Sequence, residues 1–201
     1  MSSENSFKER YKSNDTPWDI GRPDSNLIQV VTKTPIAPCK ALELGCGTGD
    51  NAIWLSRQGF DVTAVDSSEI AIERARRKAL GAGIRCTFTV ASILADKIQG
   101  PPFGFAFDRG FFHTLASGGE RGRFAEILHR QLQDGGLWLS LIGNCDEKRE
   151  GHGPPQRSAA EIVIAVEPCF EILSLAAGHF DSNAPVPPLA WICLSRKRAS
   201  P

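Results

Sequence analysis

The sequence predicts a doubly wound α/β domain, a three-layer sandwich around a seven-stranded, mainly parallel sheet with one antiparallel strand near the C-terminus. Three observations carry this. Apolar strand-like runs alternate with helical runs from Lys40 to Leu132, the pattern of βαβ units and a parallel sheet. The first run enters a glycine-rich turn, Gly45-Cys46-Gly47-Thr48-Gly49, that opens a helix from about Asn51. The last two strand-like runs have no helix between them, and a direct connection between neighbouring strands requires antiparallel pairing.

In chain order, residues 1–16 are polar, with Ser2, Ser3, Ser6 and Ser13, and are expected to be mobile until Tyr11 or Trp18 anchors them. Pro17-Trp18-Asp19-Ile20-Gly21-Arg22-Pro23 excludes a regular helix. It reads either as a loop whose Trp plugs the core edge or as a lid over a ligand site. Asn26 to Thr32 suits a helix ended by Pro35 and Pro38, and Lys40 to Leu44 is the first strand. The helix after the glycine turn stops at Gly59. Phe60 to Val65 is a second, mostly apolar strand ending at Asp66, and Ser67 or Ser68 caps the helix carrying Ile72, Ala75 and Ala79 on one face.

Arg85 to Val90 is the third strand, ending near Ala91-Ser92-Ile93, and Phe103 to Arg109 the fourth, reached through Gly100-Pro101-Pro102. A helix spans Glu120 to Leu132 and a fifth strand Leu137 to Ile142. Residues 143–157 form a long polar loop. Ser158 and Glu161 form a capping box for a helix to Val166. Phe170 to Ala176 and Leu189 to Ser195 are the last strands. With no repeat or linker, the 201 residues read as a single domain, with about residues 1–38 as an N-terminal lid segment.

Composition narrows the function. The 23 basic and 23 acidic residues balance, so net charge favours neither nucleic acid nor an anionic membrane. Six cysteines show neither C-x-x-C nor zinc-finger spacing, which argues for reduced thiols and no metal site. No secretory or membrane-spanning run is present, so a cytoplasmic protein is expected.

The glycine turn specifies its ligand further. A dinucleotide fingerprint is G-x-G-x-x-G; here Asp50 holds the place of the third glycine, where it would face a pyrophosphate. Glu43 just upstream suits a cationic group, and Asp66 at the tip of strand two is placed for both hydroxyls of a ribose. The inferred ligand has a ribose, a positive centre and no phosphates.

These motifs resemble class I S-adenosylmethionine-dependent methyltransferases, from about Pro17 to the C-terminus. Glu43-Leu44-Gly45-Cys46-Gly47-Thr48-Gly49 matches the family's first motif, Asp66 followed by Ser67 its second, and Asp108-Arg109-Gly110-Phe111-Phe112-His113 its fourth. Gly135-Gly136 matches the pair before strand five. At the third motif Ser92, beside Ile93, replaces the usual acid. The Pro-Trp-Asp segment and the Asp-Arg-Gly-Phe-Phe-His run are similar to the thiopurine and thiol S-methyltransferases and the tellurite-resistance methyltransferases.

The resemblance implies a Rossmann-like fold and S-adenosyl-L-methionine as cofactor, with S-adenosyl-L-homocysteine as product. It implies cofactor contacts at Trp18, Glu43, Gly45, Cys46, Gly47, Thr48, Asp66, Ser67, Ser92, Ile93 and Asp108. The implied acceptor is a small molecule, such as a thiol, selenol or metalloid oxyanion, taken by a monomer or homodimer.

His113 is the candidate general base for a hydroxyl or amine acceptor, with the alternative of a packed histidine. Asp108 and Arg109 are either an internal ion pair or groups near the cofactor's amino-acid end or the acceptor. Phe111, Phe112 and Trp18 are candidate walls of an apolar acceptor pocket. Two other functions compete: a non-catalytic S-adenosylmethionine-binding module, and a nicotinamide-dependent oxidoreductase, which Asp50 disfavours.

Overall fold

Strand β1 (Lys40–Leu44) lies inside a sheet whose main path also holds β2 (Asp61–Asp66), β3 (Thr87–Val90), β4 (Phe103–Arg109), β5 (Leu132–Asn144), β7 (Phe170–His179) and β8 (Leu189–Lys197). In the computed structural model the order is β3-β2-β1-β4-β5-β8-β7, and a two-residue β6 (Gln156–Arg157) pairs with β5 beside that path. Among the described strands only β8 runs against its neighbours, β5 and β7. The model describes residues 3–34, 36–95, 98, 100, 102–149 and 153–199, with the side chains of residues 3–5 left out. Ser2, Pro35 and Pro101, named in the sequence reading above, lie outside them.

Period-two alternation divides the strand side chains between two cores. Ala41, Phe105 and Phe107 join α2 (Ser25–Lys33), α3 (Asp50–Arg57) and α4 (Glu69–Gly81) on one face. Leu42, Leu44 and Trp138 join α5 (Phe111–Thr114), α6 (Gly118–Gln131) and α7 (Ala159–Val166) on the other. The expected Ser158–Glu161 capping box is present, and Ser117–Glu120 makes a second one.

Two expectations change. Residues 1–16 are not simply a mobile tail, because α1 (Ser3–Lys12) forms there. Phe7 and Tyr11, four apart on one helix face, pack edge-on against Trp18 with ring centroids 5.1 and 5.9 Å away. Strand β5 starts at Leu132 rather than Leu137, passing through the Gly135-Gly136 turn with a register irregularity opposite Phe103–Phe105.

Candidate active site

The turn from β1 to α3 is shaped by what lies over it. Gly47 adopts φ +55°, and a Cβ there would stand 2.8 Å from the Tyr11 hydroxyl. At Gly45 (φ +65°) a Cβ would lie 3.2 Å from that of Phe111. Only glycine meets both demands without strain. The turn is tied to β2: Cys46 N donates to Val65 O at 3.0 Å, and Gly47 N donates to Asp66 Oδ2 at 2.9 Å. Ser68 N donates to the other Asp66 oxygen at 2.8 Å, which orients this carboxylate at the lip of the turn.

Glu43 is buried, 1% exposed. One carboxyl oxygen accepts from Asn51 Nδ2 at 3.2 Å; Oε2 is enclosed with no hydrogen-bond partner. Burial pushes its pKa up to about 8, reinforced by Asp50 and Asp66 and opposed by the Asn51 amide and the Ala52 N–H. Asp50 is not a bare carboxylate facing the ligand, because Lys78 Nζ lies 2.7 Å from it and 2.7 Å from Thr48 Oγ1. The Thr48 hydroxyl in turn donates to Asp19 at 2.9 Å. Lys78 neutralises the Asp50 charge, so Asp50 does not itself exclude a pyrophosphate, whereas buried Glu43 still suits a cation.

Asp108 and Arg109 are adjacent in β4 and so point to opposite faces. Asp108 is fully buried on the α5–α6 side, accepting from Phe112 N at 3.0 Å and Trp138 Nε1 at 2.9 Å. Burial raises its pKa to about 6 despite those bonds. It holds α5 in place and does not line the cleft. Arg109 pairs with Asp24 at 2.7 Å instead of Asp108, and also donates to Trp18 O at 3.1 Å and Asp181 O at 2.5 Å.

His113 does not present a free base. Its Nδ1 accepts the Gly143 N–H at 2.8 Å, and its ring meets Phe180 edge-on. Burial, with Arg157 and Arg109 nearby, lowers its pKa to about 3, far below a base poised near neutrality. Phe112 is core, stacked against Trp138 and Phe124 rather than walling a pocket.

Of the sequence-predicted residues, Trp18, Gly45, Cys46, Gly47, Thr48 and Arg109 line one cleft. Glu43 and Asp66, with Ser67 beside it, adjoin it through Asn51 and Gly47. Ser92 and Ile93 sit past β3 and do not line it; Ile93 belongs to the core. The Cys46 thiol is held protonated by burial, well above its ordinary pKa.

Sequence reasoning missed Asp24, Asn51 and Lys78, and expected Tyr11 only as an anchor, not over the glycine turn. Tyr11 carried the signal of its spacing from Phe7. Asp24 precedes an apolar run directly after Pro23, as an N-cap does, and its carboxylate accepts Asn26 N at 3.0 Å. The cleft encloses about 50 Å³, against the roughly 300–1,000 Å³ of small-molecule sites; Tyr11 and Trp18 fill much of the space over the glycines. Among the described residues no His/Cys/Asp/Glu group is placed to hold a metal, and no helix is long and apolar enough to cross a membrane.

Residues 41–136 match a family described as a methyltransferase domain. Over 182 residues the chain is 29% identical to probable thiol methyltransferase 2 of Arabidopsis thaliana, covering 87% of this chain and 79% of that protein. A stretch of 37 residues is 54% identical to the probable S-adenosyl-L-methionine-dependent methyltransferase TehB of Haemophilus influenzae, 18% of this chain and 13% of TehB. The crystal structure of Haemophilus influenzae TehB superposes with a TM-score of 0.71 at 20% identity, covering 98% of this chain and 67% of that one. A structure from work on the conversion of a disulfide bond into a thioacetal group during echinomycin biosynthesis superposes with a TM-score of 0.84 at 25% identity, covering 96% and 91%. The glycine turn, the acid at the tip of β2 and these likenesses support a class I S-adenosylmethionine-dependent methyltransferase, similar to the thiol methyltransferase and TehB branch.

Proposed function

We propose that this methyltransferase methylates a small molecule through a soft nucleophile, a thiol, selenol or metalloid oxyanion. One observation carries the reading: the groups best placed to act as a base are already committed. His113 holds the Gly143 N–H and has a pKa near 3, and Asp108 holds Phe112 N and Trp138. A thiolate or selenolate attacks without a general base, whereas a phenol or amine needs one within hydrogen-bond reach. The likeness to a probable thiol methyltransferase points the same way.

The residues fit the cofactor. The partnerless Oε2 of Glu43 suits a cationic group, and Gly45, Gly47, Thr48 and Asn51 line the adjoining cleft. Gly45, Gly47 and Asp66 would hold the nucleoside and Glu43 the amino-acid end. When bound, S-adenosylmethionine supplies a methyl group on a sulfonium. The protein's part is alignment and exclusion of water. We assign the exclusion to α1 and residues 17–23, so that about residues 1–38 act as the cover of a single domain. The six cysteines are free thiols, which suits a reducing, cytoplasmic setting.

Release of S-adenosylhomocysteine over a panel of thiols, selenols, selenite, tellurite, phenols and amines tests the reading. Turnover concentrated on the soft acceptors is expected; turnover confined to phenols or amines would overturn it.

A further inference from the structure

Asn51, the second residue of α3, is 8% exposed and uses both ends of its amide. Its Oδ1 accepts the backbone N–H of Asp24 at 2.9 Å, and its Nδ2 donates to Glu43 Oε1 at 3.2 Å. A backbone N–H can face only the oxygen of an amide, so Asp24 decides which way Asn51 points. The amide nitrogen then has to face Glu43. This holds one Glu43 oxygen, while the other, Oε2, is buried without a hydrogen-bond partner.

Asp24 is itself immobilised. It is 0% exposed, caps α2 through Asn26 N, and is gripped by Arg109 at 2.7 Å and by Asp181 N at 3.2 Å. A continuous polar chain, Arg109–Asp24–Asn51–Glu43, therefore runs from the end of β4 to the end of β1.

We infer that Asn51 is a positioning residue: it acts through Glu43, fixing that carboxylate against the ammonium of the cofactor's amino-acid end. The inference rests on the reading of the cleft as the cofactor site. An orphaned buried carboxyl oxygen costs free energy unless a ligand group meets it, which explains why the fold maintains a relay that leaves it orphaned.

The test compares three probes by calorimetry. S-adenosylmethionine carries both the ammonium and the sulfonium, S-adenosylhomocysteine the ammonium alone, and methylthioadenosine neither. In Asn51→Ala the first two are expected to bind at least tenfold more weakly and methylthioadenosine within twofold of wild type. In a Glu43→Gln background, Asn51→Ala should add no further loss. Should Asn51→Ala not fold, Asn51→Ser, whose hydroxyl can take the Asp24 N–H, is read by the same criteria.

Equal weakening of all three probes would show a merely structural residue and overturn the inference. Unchanged affinities, or weakening of S-adenosylmethionine alone, would overturn it as well. Wild-type protein that binds none of the three would overturn the site reading itself, a result distinguishable from the others.

Discussion

Arg109 reaches 85 residues back along the chain to Asp24, at 2.7 Å, and not to Asp108 beside it. Because Asp24 has no exposed surface, removing Arg109 leaves a buried carboxylate without its cation. Breaking such a pair from one side costs about 3–5 kcal/mol. Arg109→Ala is expected to lose stability on that scale in urea unfolding, and a loss below about 1 kcal/mol would show the pair to be dispensable.

Gly47 and Tyr11 give a second prediction. An alanine at Gly47 would strain a left-handed residue by ~1–2 kcal/mol and drive its Cβ into the Tyr11 hydroxyl. Helix α1 should be displaced, and trypsin should cut faster at Arg10 and Lys12 than in wild type. Unaltered cleavage would count against α1 being seated on the turn.

As the proposed partner of the cofactor's cation, Glu43 should make binding depend on pH. A glutamate has a pKa of ~4.3 when unfolded and about 8 here. Between these values the folded chain holds a proton that the unfolded chain lacks, so this group's contribution to stability is lost as pH rises, by at most ~1.4 kcal/mol per unit. Asp50 and Asp66 face it as further charges that raise the value, and Cys46 and Cys86 as thiols held protonated by burial. A bound cation favours the ionised form and expels the proton. Affinity for S-adenosylmethionine should therefore rise from pH 6 to 8. Calorimetry at pH 7 in buffers of different ionisation enthalpy should register proton release, and no release would exclude Glu43 as the partner of the cation.

His113 behaves oppositely. Its pKa falls from ~6.5 unfolded to about 3 folded, so stability is lost as pH drops below about 6.5. Neutral throughout the working range, it should contribute no limb to the pH dependence of kcat. His113→Asn should leave the shape of that profile unchanged between pH 5.5 and 8. Loss of a limb in the variant would restore the histidine as a base.

What the sequence made legible was local. The strand–glycine turn–helix, the second strand ending at Asp66 and the Ser158 capping box are each written in one short contiguous stretch. The opposite facing of Asp108 and Arg109 was legible too, since alternation along β4 requires it. Partners were not: nothing near Asp50 announces Lys78, 28 residues on, and nothing near Asn51 announces Asp24, because these contacts exist only after the layers close. Helix α1 was obscured by its charge and serines, its packing resting on Phe7 and Tyr11 alone.

The bonds from the β7–β8 connection to residues 22–25 have a temporal meaning. Asp181 accepts from Ser25 N at 2.9 Å and Ser25 Oγ at 2.8 Å, and its carbonyl takes Arg109; Arg22 reaches Asn183 at 2.7 Å. A nascent chain leaves the ribosome N-terminal end first, so β1 to β5 and the glycine turn are made long before residue 181 appears. The bonds that Arg22 and Ser25 make to this connection form only once the final hairpin is synthesised. A premature stop before Phe180 would therefore remove the partners of Arg22 and Ser25 at the opposite end of the polypeptide.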